Sequence, residues 1–288
     1  MTTPLGEQWD SVSVRKEELR LHSAATPAAG EAPTVLVHGM LSSWKQWRGV
    51  MRQLGAELPL VAPDLPGFGL SSSTREPMRF PDFADVLEGL CQRRRWGKIA
   101  AVGHSFGGAV VLDWASRYPE RFRAIALLAP AAINHPWFRG DIWGLGRPLV
   151  ARVLGPVILW VVSTRWVGQR MFAHIMGDIR RLDAQAIDDL QWGCRRSREP
   201  LRALRYYQFP GLLERLGRIQ CPVLFGWGAD DRVVPPRDFE VYRAHLPHAE
   251  VRWWSGCGHV PVIERPEQTC EVIRWVASGT AYSGQTGA

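Results

Sequence analysis

Short apolar runs alternate with longer stretches of mixed polarity along most of the chain. PTVLVHG (33–39), LPLVAPD (58–64), KIAAVGHS (98–105), AIALLAP (124–130), CPVLFGWG (221–228) and AEVRWW (249–254) each end in turn residues. Runs of this length, bounded in this way, predict strands. Helical stretches lie between them, near 44–55, 81–95, 106–118, 237–246 and 266–277. Strands that alternate with helices build βαβ units, so the fold class is α/β with a mostly parallel central sheet flanked by helices. EQWDSVSV and EELRLHSAA, ahead of the first of these runs, predict an antiparallel hairpin at the sheet edge.

The alternation breaks once. From Ala131 to about Arg218 no strand-like run ends in a loop, and apolar residues recur at helical spacing. A segment of this length is too long for a plain loop, which predicts an inserted helical subdomain. The expected organisation is therefore a core of 1–130 and 219–288, a helical cap over 131–218 and a flexible tail over 278–288.

Composition changes this picture little. The 288 residues are 46% apolar and 22% charged, which excludes disorder and collagen-like structure. Cys91, Cys194, Cys221, Cys257 and Cys270 form no CxxC pair, so neither a disulfide framework nor a cysteine-rich zinc site is expected. The N-terminus carries no secretory pattern, and the longest apolar run, Val153 to Val162, is interrupted by Gly155 and Pro156. A cytoplasmic protein without a membrane span follows as the expectation. No phosphate loop, dinucleotide fingerprint or HExxH motif is present, and no cofactor is implied.

Charge is informative only by position. The net charge is +7, and residues 131–218 hold 14 Arg, no Lys and 7 acidic residues. The whole excess thus sits in the insertion. No nucleic-acid-binding module accompanies it. A solvated basic face is the plain reading, and an anionic partner, such as an acidic carrier protein or a carboxylated substrate, is the sharper one. Arg195, Arg196 and Arg198 form its densest cluster.

Gly103-His104-Ser105-Phe106-Gly107 fits the G-x-S-x-G pattern. It lies between a predicted strand and a predicted helix, where a tight turn needs small residues beside an exposed serine. The helix N-terminus after Ser105 offers N–H groups to developing negative charge. A serine hydroxyl needs an adjacent base that a third group orients. His259, in the strand-end loop GCGH, is the candidate base, with that loop expected to be mobile. His104 is expected to point elsewhere on its turn, and His38 to support its own loop. Asp230 and Asp231 compete as the orienting acid.

Five ordered motifs carry a resemblance, namely HGM (38–40), DLPGFGLS (64–71), GHSFGG (103–108), GADDRVVP (228–235) and GCGHVPVIERPE (256–267). Together they resemble the α/β-hydrolase superfamily, in particular its cap-bearing serine hydrolases. The resemblance selects Asp231 over Asp230 and implies the order Ser105, Asp231, His259. It implies an oxyanion hole from the backbone N–H groups of Phe106 and Met40, with Leu41 the nearest competitor. Asp64 and its glycines then take a structural role. Relatives that cleave carbon–carbon bonds often carry a longer glycine-rich loop than HGMLSSWKQW, and those with an aspartate nucleophile differ at position 105. The implied activity is hydrolysis of an ester or thioester through an acyl-enzyme. An acyltransferase or cyclase would use the same intermediate. Trp137, Phe138, Trp143 and Trp160 are candidates for an apolar acyl pocket.

Overall fold

The computed structural model describes residues 3–28, 32–131, 161, 164–177, 184–198 and 211–279. Eight strands form one sheet. They are β1 (Gly6–Val14), β2 (Glu17–Ala25), β3 (Thr34–Val37), β4 (Leu60–Pro63), β5 (Ile99–His104), β6 (Phe122–Leu128), β7 (Val223–Gly228) and β8 (Glu250–Trp254), in the spatial order β1-β2-β4-β3-β5-β6-β7-β8. The β1–β2 hairpin runs antiparallel and joins β4 antiparallel, while every pairing from β4 to β8 is parallel. This is the mostly parallel sheet, with its edge hairpin, that the hydrophobic pattern predicts.

The parallel strands β3, β4, β5 and β7 are buried along their whole length and β6 is buried at all but Arg123, while the edge strand β8 carries Glu250 and Arg252; each face of the sheet takes a helical layer. Along β3, Val35 and Val37 join one core cluster and Leu36 the other, as the two-residue period of a strand requires. The first layer contains α2 (Phe80–Arg93) and α3 (Phe106–Arg117). The opposite layer holds α1 (Arg48–Leu54) and the long C-terminal helix, α9 (Pro266–Ser278). Between β6 and β7 lie α4 (Arg165–Ile175), α5 (Ala184–Arg195) and the short α6 (Leu212–Leu216). The elements α7 (Phe239–His245) and α8 (Pro261–Glu264) complete the described helices ahead of α9.

Parallel strands point their C-terminal ends to one edge, and loops from several of them meet there. The loops after β3, β4, β5, β7 and β8 carry the sequence motifs noted above. Among the described residues, no helix is long and apolar enough to cross a membrane.

Candidate active site

The turn between β5 and α3 is built for close approach. Ser105 has φ 52° and ψ −118°, a conformation that a non-glycine residue adopts only when its surroundings enforce it. A Cβ on Gly103 would come within 2.4 Å of the Gly107 carbonyl oxygen. One on Gly107 would lie 2.4 Å from the carbonyl oxygens of Val37 and His38. The helix therefore packs against the end of β3 only because these positions lack side chains. Ser105 N–H donates to Leu128 O, and its carbonyl accepts from Ala109 and Ala131, which fixes the strained turn.

Two further loops bring their side chains to this serine. Ser105 Oγ lies 2.9 Å from His259 Nε2, and His259 Nδ1 lies 2.8 Å from Asp231 Oδ2. The carboxylate only accepts, so the imidazole proton sits on Nδ1 and Nε2 is left to accept from the serine. Asp231 Oδ1 accepts from the N–H groups of Val233 and Val234, at 2.8 and 2.9 Å. Asp231 and His259 are buried, while Asp230 is exposed. The adjacent carboxylates thus part: one faces the histidine, the other solvent.

The loop after β3 sits against the same serine. A Cβ on Gly39 would lie 3.4 Å from Ser105 Cβ. His38 holds this loop from within. Its Nδ1 donates to Gly39 O at 2.8 Å, and its Nε2 accepts from Leu65 N–H at 3.0 Å. Burial lowers the affinity of His38 for a proton, which keeps this neutral donor–acceptor role. Gly39 N–H donates to Gln46 Oε1 at 3.3 Å, and Leu41 takes φ 56°. Met40 lies between them. Phe106 is the first residue of α3, so its N–H lies at the positive end of the helix dipole.

Asp64 braces the neighbouring DLPGFG turn. Its carboxylate accepts from Trp44 N–H, Leu70 N–H and His22 Nδ1, at 2.8, 3.0 and 2.9 Å. Gly67 and Gly69 take φ of 80° and 53°, and a Cβ on Gly69 would overlap the Asp64 carboxylate. The structural role expected for this motif follows from those contacts.

The sequence reading left two residues without a part in the site. His104 does not merely point away: its Nε2 donates to His259 O at 2.7 Å, tying the serine turn to the histidine loop. Burial foremost, with His259 adding, pushes the His104 imidazole down to about 3, so it stays neutral. Glu264, quoted within GCGHVPVIERPE but given no role, accepts from the N–H groups of Gly258 and Val260 on either side of His259. The loop expected to be mobile is therefore braced on several sides. No local pattern announces this, because a charged residue in a helix reads as surface until its partners are known. Trp137, Phe138, Trp143 and Trp160 lie outside the described residues. Among the described residues, no three His, Cys, Asp or Glu side chains converge as metal ligands would.

A sheet of this order, with its serine at the turn from β5 into α3, defines the α/β-hydrolase fold. The chain belongs to the Alpha/beta hydrolase family, whose family model matches residues 34–272. It is 27% identical over 253 residues to a poly(3-hydroxyalkanoate) depolymerase of Ectopseudomonas oleovorans, covering 84% of this chain and 82% of that one. It is 26% identical over 260 residues to a 2-hydroxy-6-oxo-2,4-heptadienoate hydrolase of Pseudomonas putida, covering 81% of this chain and 84% of that one. Among solved structures, a thermophilic esterase from Thermogutta terrifontis superposes with a TM-score of 0.73 at 25% identity, over 94% of this chain and 99% of that one. The protein is thus an enzyme of the α/β-hydrolase type.

Proposed function

We propose that this protein is a serine hydrolase that cleaves an ester or thioester of a hydrophobic or aromatic acyl group through an acyl-enzyme. The observation that carries the reading is the continuous relay Ser105 Oγ, His259 Nε2, His259 Nδ1, Asp231 Oδ2, closed at 2.9 and 2.8 Å, with Asp231 and His259 buried and Ser105 half-buried. In this reading His259 accepts the Ser105 proton as Oγ attacks the acyl carbon. The N–H groups of Phe106 and Met40 take up the negative charge on the carbonyl oxygen. His259 then returns the proton to the leaving alcohol or thiol, and a water deprotonated by the same imidazole releases the acid. Segment 131–218 acts as the cap over the acyl pocket.

A second reading keeps the acyl-enzyme but passes the acyl group to an amine or thiol. What favours it is a basic face beside the described part of the cap. The Lys45 ammonium lies 4.0 Å from the centre of the Trp192 ring, and the Arg196 guanidinium lies 5.4 Å from it. Arg195 and Arg198 are exposed next to them. Such a face would receive an acidic carrier protein that delivers a thioester.

The test is turnover of acyl esters and carrier-bound thioesters, with and without an added acceptor, alongside labelling by a serine-directed phosphonate. The panel includes 2-hydroxy-6-oxo-2,4-heptadienoate, the compound in the name of one relative. Water-dependent ester cleavage, lost in Ser105→Ala together with labelling, supports the hydrolase. Product formed only with the acceptor supports the transferase. Full activity in Ser105→Ala defeats both.

A further inference from the structure

We infer that Glu264 is a positioning residue for His259, and that its carboxylate makes the alignment of the base depend on the docked end of α4. The inference rests on the Ser105–His259–Asp231 reading above.

Glu264 ends α8 and is 5% exposed. Its Oε1 accepts from Val260 N–H at 3.0 Å. Its Oε2 accepts from two donors, Gly258 N–H at 2.8 Å and Gly177 N–H at 2.7 Å. The first two donors flank His259. The third belongs to the segment between β6 and β7, two residues beyond the end of α4. One carboxylate oxygen thus joins the base loop to that segment. An ionised carboxylate suits the place because it only accepts and can serve three donors at once.

The same segment touches His259 directly. His259 N–H donates to Ile175 O at 2.8 Å, the last carbonyl of α4. The contact is backbone on backbone. A Cβ on Gly258 would lie 2.5 Å from Gly177 N and 2.6 Å from Ile175 O. One on Gly177 would lie 2.7 Å from Gly256 O. With His259 O taken by His104, both main-chain polar groups of the base are engaged. From outside, Arg265 donates to the carbonyls of Ser255 and Gly256.

The consequence is mechanistic. The imidazole has two side-chain bonds, one to Asp231 and one to Ser105, and its height over the serine is set by its backbone. Glu264 sets that backbone from both sides, and α4 sets it from above. A shift of about 1 Å in a reacting group costs roughly a hundredfold in rate, so loss of this brace acts on kcat.

The experiment compares the wild type with Glu264→Gln, using a small neutral ester and active-site titration with a phosphonate. The amide has one acceptor oxygen and turns an N–H2 toward at least one of the three donors. We expect kcat per titrated site to fall about a hundredfold, with KM within about threefold. The far-downfield proton resonance of the His259–Asp231 hydrogen bond should shift or broaden as well. A merely structural role would lower the melting temperature or the titrated fraction. It would leave kcat per site and that resonance unchanged, and this result in a folded variant overturns the proposal. If Glu264→Gln does not fold, Gly177→Ala decides. Its methyl group pushes the end of α4 off the base loop and leaves Glu264 intact. Loss of kcat at constant KM supports the link, and an unchanged kcat overturns it. A wild type that neither cleaves esters nor takes up phosphonate refutes the triad reading instead, and the two failures are thereby told apart.

Discussion

Replacing Asp231 by Asn tests the relay at its best-defined point. The carboxylate has two tasks in the structure. Oδ1 holds Val233 N–H and Val234 N–H, and Oδ2 holds His259 Nδ1. An asparagine has one acceptor oxygen and must choose between them. Turning the oxygen to the histidine leaves an N–H2 facing two backbone donors, Val234 buried and Val233 half-buried, and an unsatisfied buried donor costs about 1–3 kcal/mol. The opposite rotamer is therefore favoured by at least about 1–3 kcal/mol. It presents N–H2 to Nδ1, which drives the imidazole proton to Nε2. That nitrogen can then no longer accept the Ser105 proton. The wrong tautomer in a triad of this kind costs about 10⁴ in kcat. At 1.36 kcal/mol per decade this is about 5.4 kcal/mol of barrier.

The fold should survive this change, because both backbone bonds of the loop are kept. The loss is one charge-assisted bond, about 1.5–3 kcal/mol. The assay is ester turnover normalised by phosphonate titration, with a melting curve as control. Asp230→Asn is the matched comparison, since Asp230 is exposed and its carboxylate is not bonded to His259. It should stay within about twofold of wild type, as a surface substitution does. If Asp231→Asn keeps more than about a tenth of kcat, or Asp230→Asn loses more than it does, the tautomer argument fails.

Three more outcomes follow from charge and burial. His104 and His38 bind protons less readily when folded than the ordinary 6.5, His104 at about 3. Folded-state affinity is the lower one, so the stabilisation of both is intact above 6.5 and falls below it; for His104 it is lost as pH falls toward about 3, by up to about 1.4 kcal/mol per unit. Urea unfolding between pH 6.5 and 4 should be less pH-dependent in His104→Gln, whose amide can still donate to His259 O, and equal slopes would contradict this. Burial pushes the thiols of Cys91 and Cys194 up to about 12 and those of Cys221 and Cys270 to about 11, with Cys257 also raised. Iodoacetamide at pH 8 should leave the folded enzyme active, since only thiolates react, and rapid inactivation would show an accessible thiolate. Raising salt from about 0.1 M to 1 M shortens the Debye length from about 10 Å to about 3 Å. Catalytic efficiency on an anionic carrier-bound thioester should then fall steeply while a neutral ester responds little, and reversing the charge of Arg195, Arg196 and Arg198 should mimic the loss at low salt. Equal responses would leave that face as a solvated surface.

How far the sequence discloses this molecule depends on where each interaction is encoded. Strand and helix positions are local: β3, β4, β5 and β7 fall inside the apolar runs because a strand buried on both faces must be largely apolar, β6 starts two residues ahead of its run at Phe122, and the edge strand β8 lies inside its run although it carries Glu250 and Arg252. The serine turn is local too, since Gly103, Ser105 and Gly107 lie within five consecutive residues and each answers a steric demand there. The pairing of His259 with Asp231 is not local. Spacing alone leaves Asp230 open, and it is resemblance that selects Asp231, the residue that faces His259 in the structure. His104 and Glu264 lie a step further away. Their partners are backbone atoms, His259 O for one and the N–H groups of Gly177, Gly258 and Val260 for the other. A backbone atom has no side-chain identity, so no residue pattern marks it as a partner. The same limit applies to α4, whose contact with the His259 loop runs through Ile175 O and the absence of a side chain at Gly177 and Gly258. Glycines in such a place are legible only as turn residues. The chemistry of this protein is thus written in side chains that sequence displays, while the precision of that chemistry rests on main-chain contacts that only the fold brings together.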